Sequence, residues 1–321
     1  MDATIENIAV TNKANLEVFS ATLQKLARHD RDIIVVTSDS RGSGKLVPFG
    51  QSFPDQIVEV GIAEQNLVGV AAGLASAGKK VFAVSPACFL TARALEQIKN
   101  DVAYSNNAVK LIGISAGVSY GALGSTHHSL HDFAVLRTIN NLIVVAPADN
   151  FETEQAIMLA AETDLPVYLR FGKKSMPLLS TEETTFEFGK GRVIKEGSDL
   201  VIIATGETVA PALEASEKLQ KESGIEATIV SMHTIKPLDY NLIAKVAADG
   251  KPIITVEEHS VYGGLGEACA SFLLENNFRN RFKIIGIPDE YTVTGSQQEI
   301  FNHYGISGDG ITAAALTLRK G

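Results

Sequence analysis

Tryptophan is missing from this chain of 321 residues, and nothing follows from that absence alone. Other scarcities exclude more. There are two cysteines, Cys88 and Cys269, far apart and each in an apolar context. Two such residues do not make a disulfide framework, and they fit a reducing cytoplasm, the expected location. No apolar run approaches the ~20 residues of a membrane span. The longest, Val68 to Ala77, gives way to Lys79 and Lys80, so no membrane partner is expected. The first ten residues, MDATIENIAV, have neither the basic nor the apolar region of a secretory leader. Basic charge is short as well: 28 Lys plus Arg stand against 37 Asp plus Glu, a net of −9. A nucleic-acid binder carries a basic face, so no nucleic-acid partner is expected either.

What remains is a globular balance, 45% hydrophobic and 20% charged, which rules out an intrinsically disordered chain. At roughly 150 residues per domain the length suggests two domains. Leu16, Phe19, Leu23 and Leu26 recur at spacings of three and four, the mark of an amphipathic helix. Short apolar runs then read as strands at Ile33–Val36, Ile57–Val60, Lys80–Val84, Val109–Ser115, Leu142–Ala146 and Pro166–Phe171. Helical patterns fall between several of them, at Ala63–Ala77, Phe89–Tyr104, His131–Thr138 and Phe151–Glu162, the last with Asp149 and Glu152 spaced as a capping box. A polar, aperiodic stretch around Lys173–Phe188 separates this series from a second one. There the strands are Leu200–Ala204, Glu226–Ser231, Pro252–Val256 and Phe282–Ile287, with helices near Val209–Lys221, Tyr240–Ala248, Gly264–Glu275 and Gln297–Tyr304. Such alternation predicts two consecutive three-layer α/β domains with mostly parallel sheets: residues 1–175, a linker at 176–190, and residues 191–321.

Several motifs have a plainer reading. Gly113-Ile114-Ser115-Ala116-Gly117 matches GxSxG, but the strand leads into a Gly-rich segment and not directly into a helix, which argues against a nucleophile elbow. His127, His128 and His131 suggest a metal, yet no Glu follows the first His and no further ligand is evident. Gly308-Asp309-Gly310 resembles the start of a diphosphate–magnesium motif. Only residues 311–321 follow it, too few for the required Asn segment, so a turn before a last helix is expected. Gly263-Gly264-Leu265-Gly266 lacks the dinucleotide spacing and reads as close strand–helix packing or an anion nest. Glu64 is more pointed. It falls at a strand-to-helix junction among Val58, Val60, Ile62, Leu67 and Val68. A first-turn glutamate is favoured by the helix dipole, but these neighbours suggest a carboxyl in a poorly solvated site, where its pKa rises.

The order of motifs is that of a known family. GIAEQN, ACFLTAR, GSTHH, VAPADNFE and PVYLRFG resemble the pyrimidine-binding domain of thiamine diphosphate enzymes of the transketolase family. MHTIKPLD, VEEHSVYGGLGEA and IGIPDEYTVTGSQQEI resemble the transketolase C-terminal domain. The resemblance spans nearly the whole chain, lacks the diphosphate-binding domain, and so implies the C-terminal subunit of a split transketolase. By that resemblance Glu64 is the catalytic glutamate. A carboxyl hydrogen-bonded to N1′ of the aminopyrimidine favours the imino form that deprotonates the thiazolium. Phe89 matches the aromatic that stacks on the pyrimidine, Arg93 stands near that ring, and Asp39 aligns loosely with an aspartate near the thiazolium. His127 matches a histidine that contacts the sugar hydroxyl or carbonyl, and Arg170 an arginine that binds substrate phosphate.

Three positions depart from the pattern: Leu123 replaces a donor-sensing aspartate, Asn12 a phosphate-site arginine, and Ser115 a substrate-site histidine. These put the usual pentose-phosphate donor in question. The implied activity is transfer of a two-carbon ketol unit from a ketose to an aldose, as free sugars or phosphates. The implied partner is an N-terminal subunit that holds the diphosphate and its Mg²⁺ or Ca²⁺, in an α2β2 assembly, with no metal held by this chain. The rivals are a 2-oxo acid dehydrogenase β subunit, a deoxyxylulose-phosphate synthase-like chain, and a non-catalytic scaffold subunit.

Overall fold

The computed structural model describes residues 12–181 and 184–320; the leader reading of residues 1–10 and the acidic residues 182–183 of the expected linker lie outside them. Two sheets order the chain. The first has strands β1 (Ile33–Thr37), β2 (Ile57–Glu59), β3 (Lys80–Pro86), β4 (Lys110–Ile114), β5 (Ile143–Val145) and β6 (Val167–Phe171). The second has β7 (Arg192–Lys195), β8 (Leu200–Ala204), β9 (Ala227–Ser231), β11 (Ile253–Ser260) and β12 (Phe282–Ile287), while β10 (Thr234–Lys236) crosses back to the first. The orders are β10-β5-β6-β4-β3-β1-β2 and β12-β11-β8-β9-β7. All pairings are parallel except β10 on β5 and β7 on β9. Central strands such as IIVVT and KLIGI are buried almost throughout, as expected of parallel strands covered on both faces.

All ten expected strands are present, with β11 running on to Ser260. The two that sequence patterning missed, β7 and β10, are short edge strands of four and three residues, too brief to show a period. Other expectations need correction. The helix expected at Phe89–Tyr104 is broken into Ala87–Arg93, Leu95–Gln97 and a π-helical turn at Ile98–Tyr104. The Gly308-Asp309-Gly310 turn is instead the opening of helix Gly308–Lys320. The capping box is half formed. Asp149 Oδ1 accepts from the Glu152 amide at 2.8 Å, but the Glu152 carboxylate turns to the Ala148 amide, Arg192 and Ser231.

Helices Asn15–His29 and Asn150–Glu162 cover one face of the first sheet, burying Leu16, Phe19, Leu23, Ile157 and Ala160. The opposite face shares one continuous core with the second sheet, from Val68, Leu90, Phe133 and Tyr168 through to Val230, Met232, Leu265 and Cys269. That shared core and the crossing strand β10 fuse the two halves. A third cluster, including Ile202, Leu219 and Ile311, closes the far side of the second sheet. Because β1, β2, β3, β4 and β6 are parallel, their carboxyl ends open on one edge, where α/β sheets place their ligands.

Candidate active site

Five of the expected residues leave that edge from four neighbouring strands. After β2, Gly61 takes φ +73°, a left-handed turn that brings Glu64 to the start of helix Glu64–Ser76. Glu64 is 4% exposed. Arg93, at the end of the helix that follows β3, brings Nη1 to 3.0 Å from both carboxylate oxygens. The same guanidinium lies 4.3 Å above the centre of the Phe89 ring. Phe89 meets His127 edge-on at 5.3 Å, and Tyr120 meets His127 edge-on from another side at 5.4 Å. Lys173 Nζ sits 3.9 Å over the Tyr120 ring. One unbroken row therefore runs Glu64–Arg93–Phe89–His127–Tyr120–Lys173.

The surroundings of Glu64 differ from the expectation. Leu67 and Val68 are core, but Val58 and Ile62 face outward, Ile62 at 73% exposure. The carboxylate is buried by its position at the strand edge and held by Arg93, not enclosed by apolar neighbours. Leu123 is likewise exposed, at 54%. Asp39 is exposed just past the end of β1 at φ +53°, its amide donating to Glu59 Oε1 at 2.6 Å.

Arg170 is placed elsewhere. Its Nε donates to Asp132 Oδ2 at 2.8 Å, and Nη2 to the carbonyls of Glu258 at 2.7 Å and Ser129 at 3.3 Å. The guanidinium stacks 4.6 Å over Phe133, and the side chain is 5% exposed. The fork assigned by resemblance to a substrate phosphate is engaged by the chain's own acceptors. Burial pushes the Asp132 carboxyl up, but Arg170, His259 and the Tyr168 hydroxyl outweigh it and hold it below its ordinary value.

The plainer readings of the other motifs are informative. Ser115 has the positive φ of an elbow, +54°, but is wholly buried, and among the described residues no imidazole meets its hydroxyl. The three histidines diverge: His127 joins the row, His128 bonds Thr292 and Gly121, and His131 lies 3.3 Å from Thr91 Oγ1. No cluster of three metal-ligating side chains occurs among the described residues. The glycine nest at 263–266 holds an anion of the chain itself. Glu257 accepts from the amides of Leu265 at 2.7 Å and Gly266 at 2.9 Å. Burial lifts its carboxyl to about 7 against those amides.

Sequence reasoning missed Tyr120 and Lys173, which extend the row. An aromatic inside the Gly-rich VSYGALG and a lysine just after RFG were the available signals. Burial lowers the Lys173 ammonium from its ordinary value. It also missed the seam between the domains, where the buried Glu207 and Glu258 converge on one Gln297 amide at 2.7 and 2.8 Å. Burial and the neighbouring Glu207 push Glu258 up to about 8, and burial also raises Glu207.

Comparison with known proteins identifies the family. Residues 12–177 match the family described as transketolase, pyrimidine binding domain, and residues 189–311 that described as transketolase, C-terminal domain. The chain is 50% identical over 303 residues to one of the subunits of an apulose-4-phosphate transketolase from Phocaeicola vulgatus, covering 94% of this chain and 96% of that one. It is 41% identical over 304 residues to a putative transketolase C-terminal section of Methanocaldococcus jannaschii, covering 94% and 95%. Among solved structures, a split gene transketolase described as an inactive beta4 tetramer superposes with a TM-score of 0.84 at 36% identity, covering 95% of this chain and 98% of that one.

Proposed function

On the premise that this chain belongs to the transketolase family and is a transferase subunit of that family, we propose that it supplies the pyrimidine half of a split active site and acts only with a diphosphate-binding partner. The observation that carries this is the row from Glu64 to His127 on the carboxyl edge of the first sheet. A buried carboxylate beside an aromatic face fits an aminopyrimidine. On this reading thiamine diphosphate lies at the interface, with its Mg²⁺ or Ca²⁺ on the partner. The exposed Val58, Ile62 and Leu123 supply an apolar surface for that partner, in an α2β2 assembly. Two buried, unpaired cysteines accord with the cytoplasm, and no helix among the described residues is long and apolar enough to cross a membrane. We place the boundary between the domains within residues 176–190.

Each residue has a stated task. Glu64 holds or releases a proton at N1′ of the pyrimidine from a site that water barely reaches. Phe89 gives that ring a flat support once the half-exposed Arg93 swings aside. The cofactor, when bound, supplies the electron sink for cleaving a carbon–carbon bond beside a ketone. His127 donates a hydrogen bond to the carbonyl oxygen of the sugar as charge develops there. Asp39 would be the carboxylate on the thiazolium side of the bound cofactor. Lys173 offers a cation at the rim. Arg170 holds the loop that bears His127. Leu123 presents an alkyl group where a carboxylate would accept a donor hydroxyl, so the donor differs from a linear pentulose phosphate. Together with 50% identity to a subunit of an apulose-4-phosphate transketolase, this makes apulose 4-phosphate the first donor to assay.

The deciding experiment combines this chain with a partner carrying the GDG–Asn motif, adds thiamine diphosphate and Mg²⁺, and assays ketol transfer from apulose 4-phosphate and a linear pentulose phosphate. Ketol transfer by the mixture and by neither chain alone is expected. Tight cofactor binding by this chain alone overturns the split site. Acetyl transfer from pyruvate points to a deoxyxylulose-phosphate synthase-like chain, oxidative decarboxylation to the dehydrogenase β subunit, and inactivity with every donor to a scaffold.

A further inference from the structure

Thr292 lies in the segment between β12 and helix Gln297–Tyr304, in the second half of the chain. It reaches the loop of the first half that carries His127. The polar atoms there admit one arrangement of hydrogens. The Gly121 carbonyl can only accept, so His128 Nε2, 3.0 Å away, carries the hydrogen of the ring. Burial disfavours a charged His128, so Nδ1 is the acceptor. Thr292 Oγ1, at 2.6 Å, must donate to it. That hydroxyl is left to accept from Ser125 Oγ at 2.9 Å, and Ser125 Oγ accepts in turn from the Thr292 amide at 2.8 Å. The relay runs from the Thr292 amide to Ser125, to the Thr292 hydroxyl, to His128 and to Gly121, each bond polarising the next.

Ser125 and His128 bracket Thr126 and His127. The ends of the loop are tied from the same side: the Val118 amide donates to Glu258 Oε1 at 2.9 Å, and Arg170, itself bonded to Glu258, reaches the Ser129 carbonyl. The His127 ring, by contrast, has one hydrogen-bond partner among the described residues, its neighbour Thr126 at 3.0 Å. Beyond the edge-on contacts with Phe89 and Tyr120, its aim depends on its backbone, and that backbone is gripped on both sides by a residue of the other domain.

We propose that Thr292 is a positioning residue for ketol transfer, fixing the chain on either side of His127 through Ser125 and His128. This rests on the role given above to His127. The test uses Thr292→Val, which keeps the shape and deletes the hydroxyl, and Thr292→Ser, which keeps the relay. In this chain alone, hydrogen exchange of the amides of residues 127–129 should quicken about tenfold in the valine variant and stay at wild-type rates in the serine variant. Unchanged exchange in the valine variant overturns the clamp. In the reconstituted complex, Thr292→Val should lower kcat about tenfold with a smaller change in donor KM, and Thr292→Ser should restore it. In a His127→Ala background the valine substitution should have no further effect; a full additional loss there overturns positioning through His127. If the valine variant does not fold, Ser125→Ala cuts the relay from the loop side and should show the same loss. A wild-type complex without ketol transfer overturns the functional reading, while the exchange measurement still decides the clamp.

Discussion

Arg93 and Arg170 each hold a carboxylate, Glu64 at 3.0 Å in one case and Asp132 at 2.8 Å in the other. The surroundings separate them. Arg93 is half exposed, bonded to Glu64 alone among the described residues, and rests on an aromatic face. Arg170 is buried, with Nε and Nη2 on three acceptors, Nη1 3.8 Å from Glu258 Oε2, and its plane on Phe133. The sheet edge holds its guanidinium half in solvent with a single carboxylate partner among the described residues. The seam between the domains locks the same kinds of group and thereby holds the loops of that edge in place. An open edge on a rigid seam is how a preorganised site is built.

The largest effect is expected at Glu64. In the reconstituted complex Glu64→Gln should lower turnover about 10²–10⁴-fold, the scale of a lost acid–base group, with cofactor affinity within a modest factor. Near-wild-type kinetics would remove Glu64 from the chemistry. Next is the seam. Arg170→Ala leaves Asp132 and Glu258 buried without their cation and should destabilise the chain by about 3–5 kcal/mol in urea. A loss under about 1 kcal/mol would mean that the seam is no tighter than the edge. His127→Ala should raise the barrier by ~2–4 kcal/mol, one oxyanion donor, with stability unchanged.

A pH test separates the regions further. Burial and the nearby Glu207 hold the Glu258 carboxyl well above its ordinary 4.5 in the folded chain. A raised folded value means that its contribution to stability is full below about 4.5 and is lost as pH climbs through that raised value. Glu258→Gln, which keeps the acceptor for the Val118 amide, should flatten the urea midpoint over that window. An unaltered slope would assign the titration to another group of the seam.

Much of this was legible in the sequence because strands β1, β3, β4 and β8 are apolar runs buried on both faces and betray themselves without neighbours. Glu64, Phe89, Arg93 and His127 were legible through family resemblance, and the geometry joins them into one row. Arg170 was not. The same Leu-Arg-Phe serves a solvent-facing or a locked guanidinium, and only the long-range pairs with Asp132 and Glu258 tell which. Glu207, Gln297 and Thr292 were invisible for the same reason. Their partners lie 39 to 167 positions away, beyond any local period.

The smallest expected effect is the sharpest test of the contrast. Arg93→Met deletes a half-exposed ion pair and a cation–π contact of about 0.5–1 kcal/mol. Glu64 stands in the first turn of its helix, where the helix dipole favours a carboxylate. Solvent screens the guanidinium, and the thioether still covers Phe89. A double-mutant cycle of Arg93→Met with Glu64→Gln, read by chemical denaturation, should therefore give a coupling below about 1 kcal/mol. A coupling above about 2 kcal/mol would make Arg93 a fixed member of the fold like Arg170, and would overturn the proposal that its guanidinium leaves the Phe89 face.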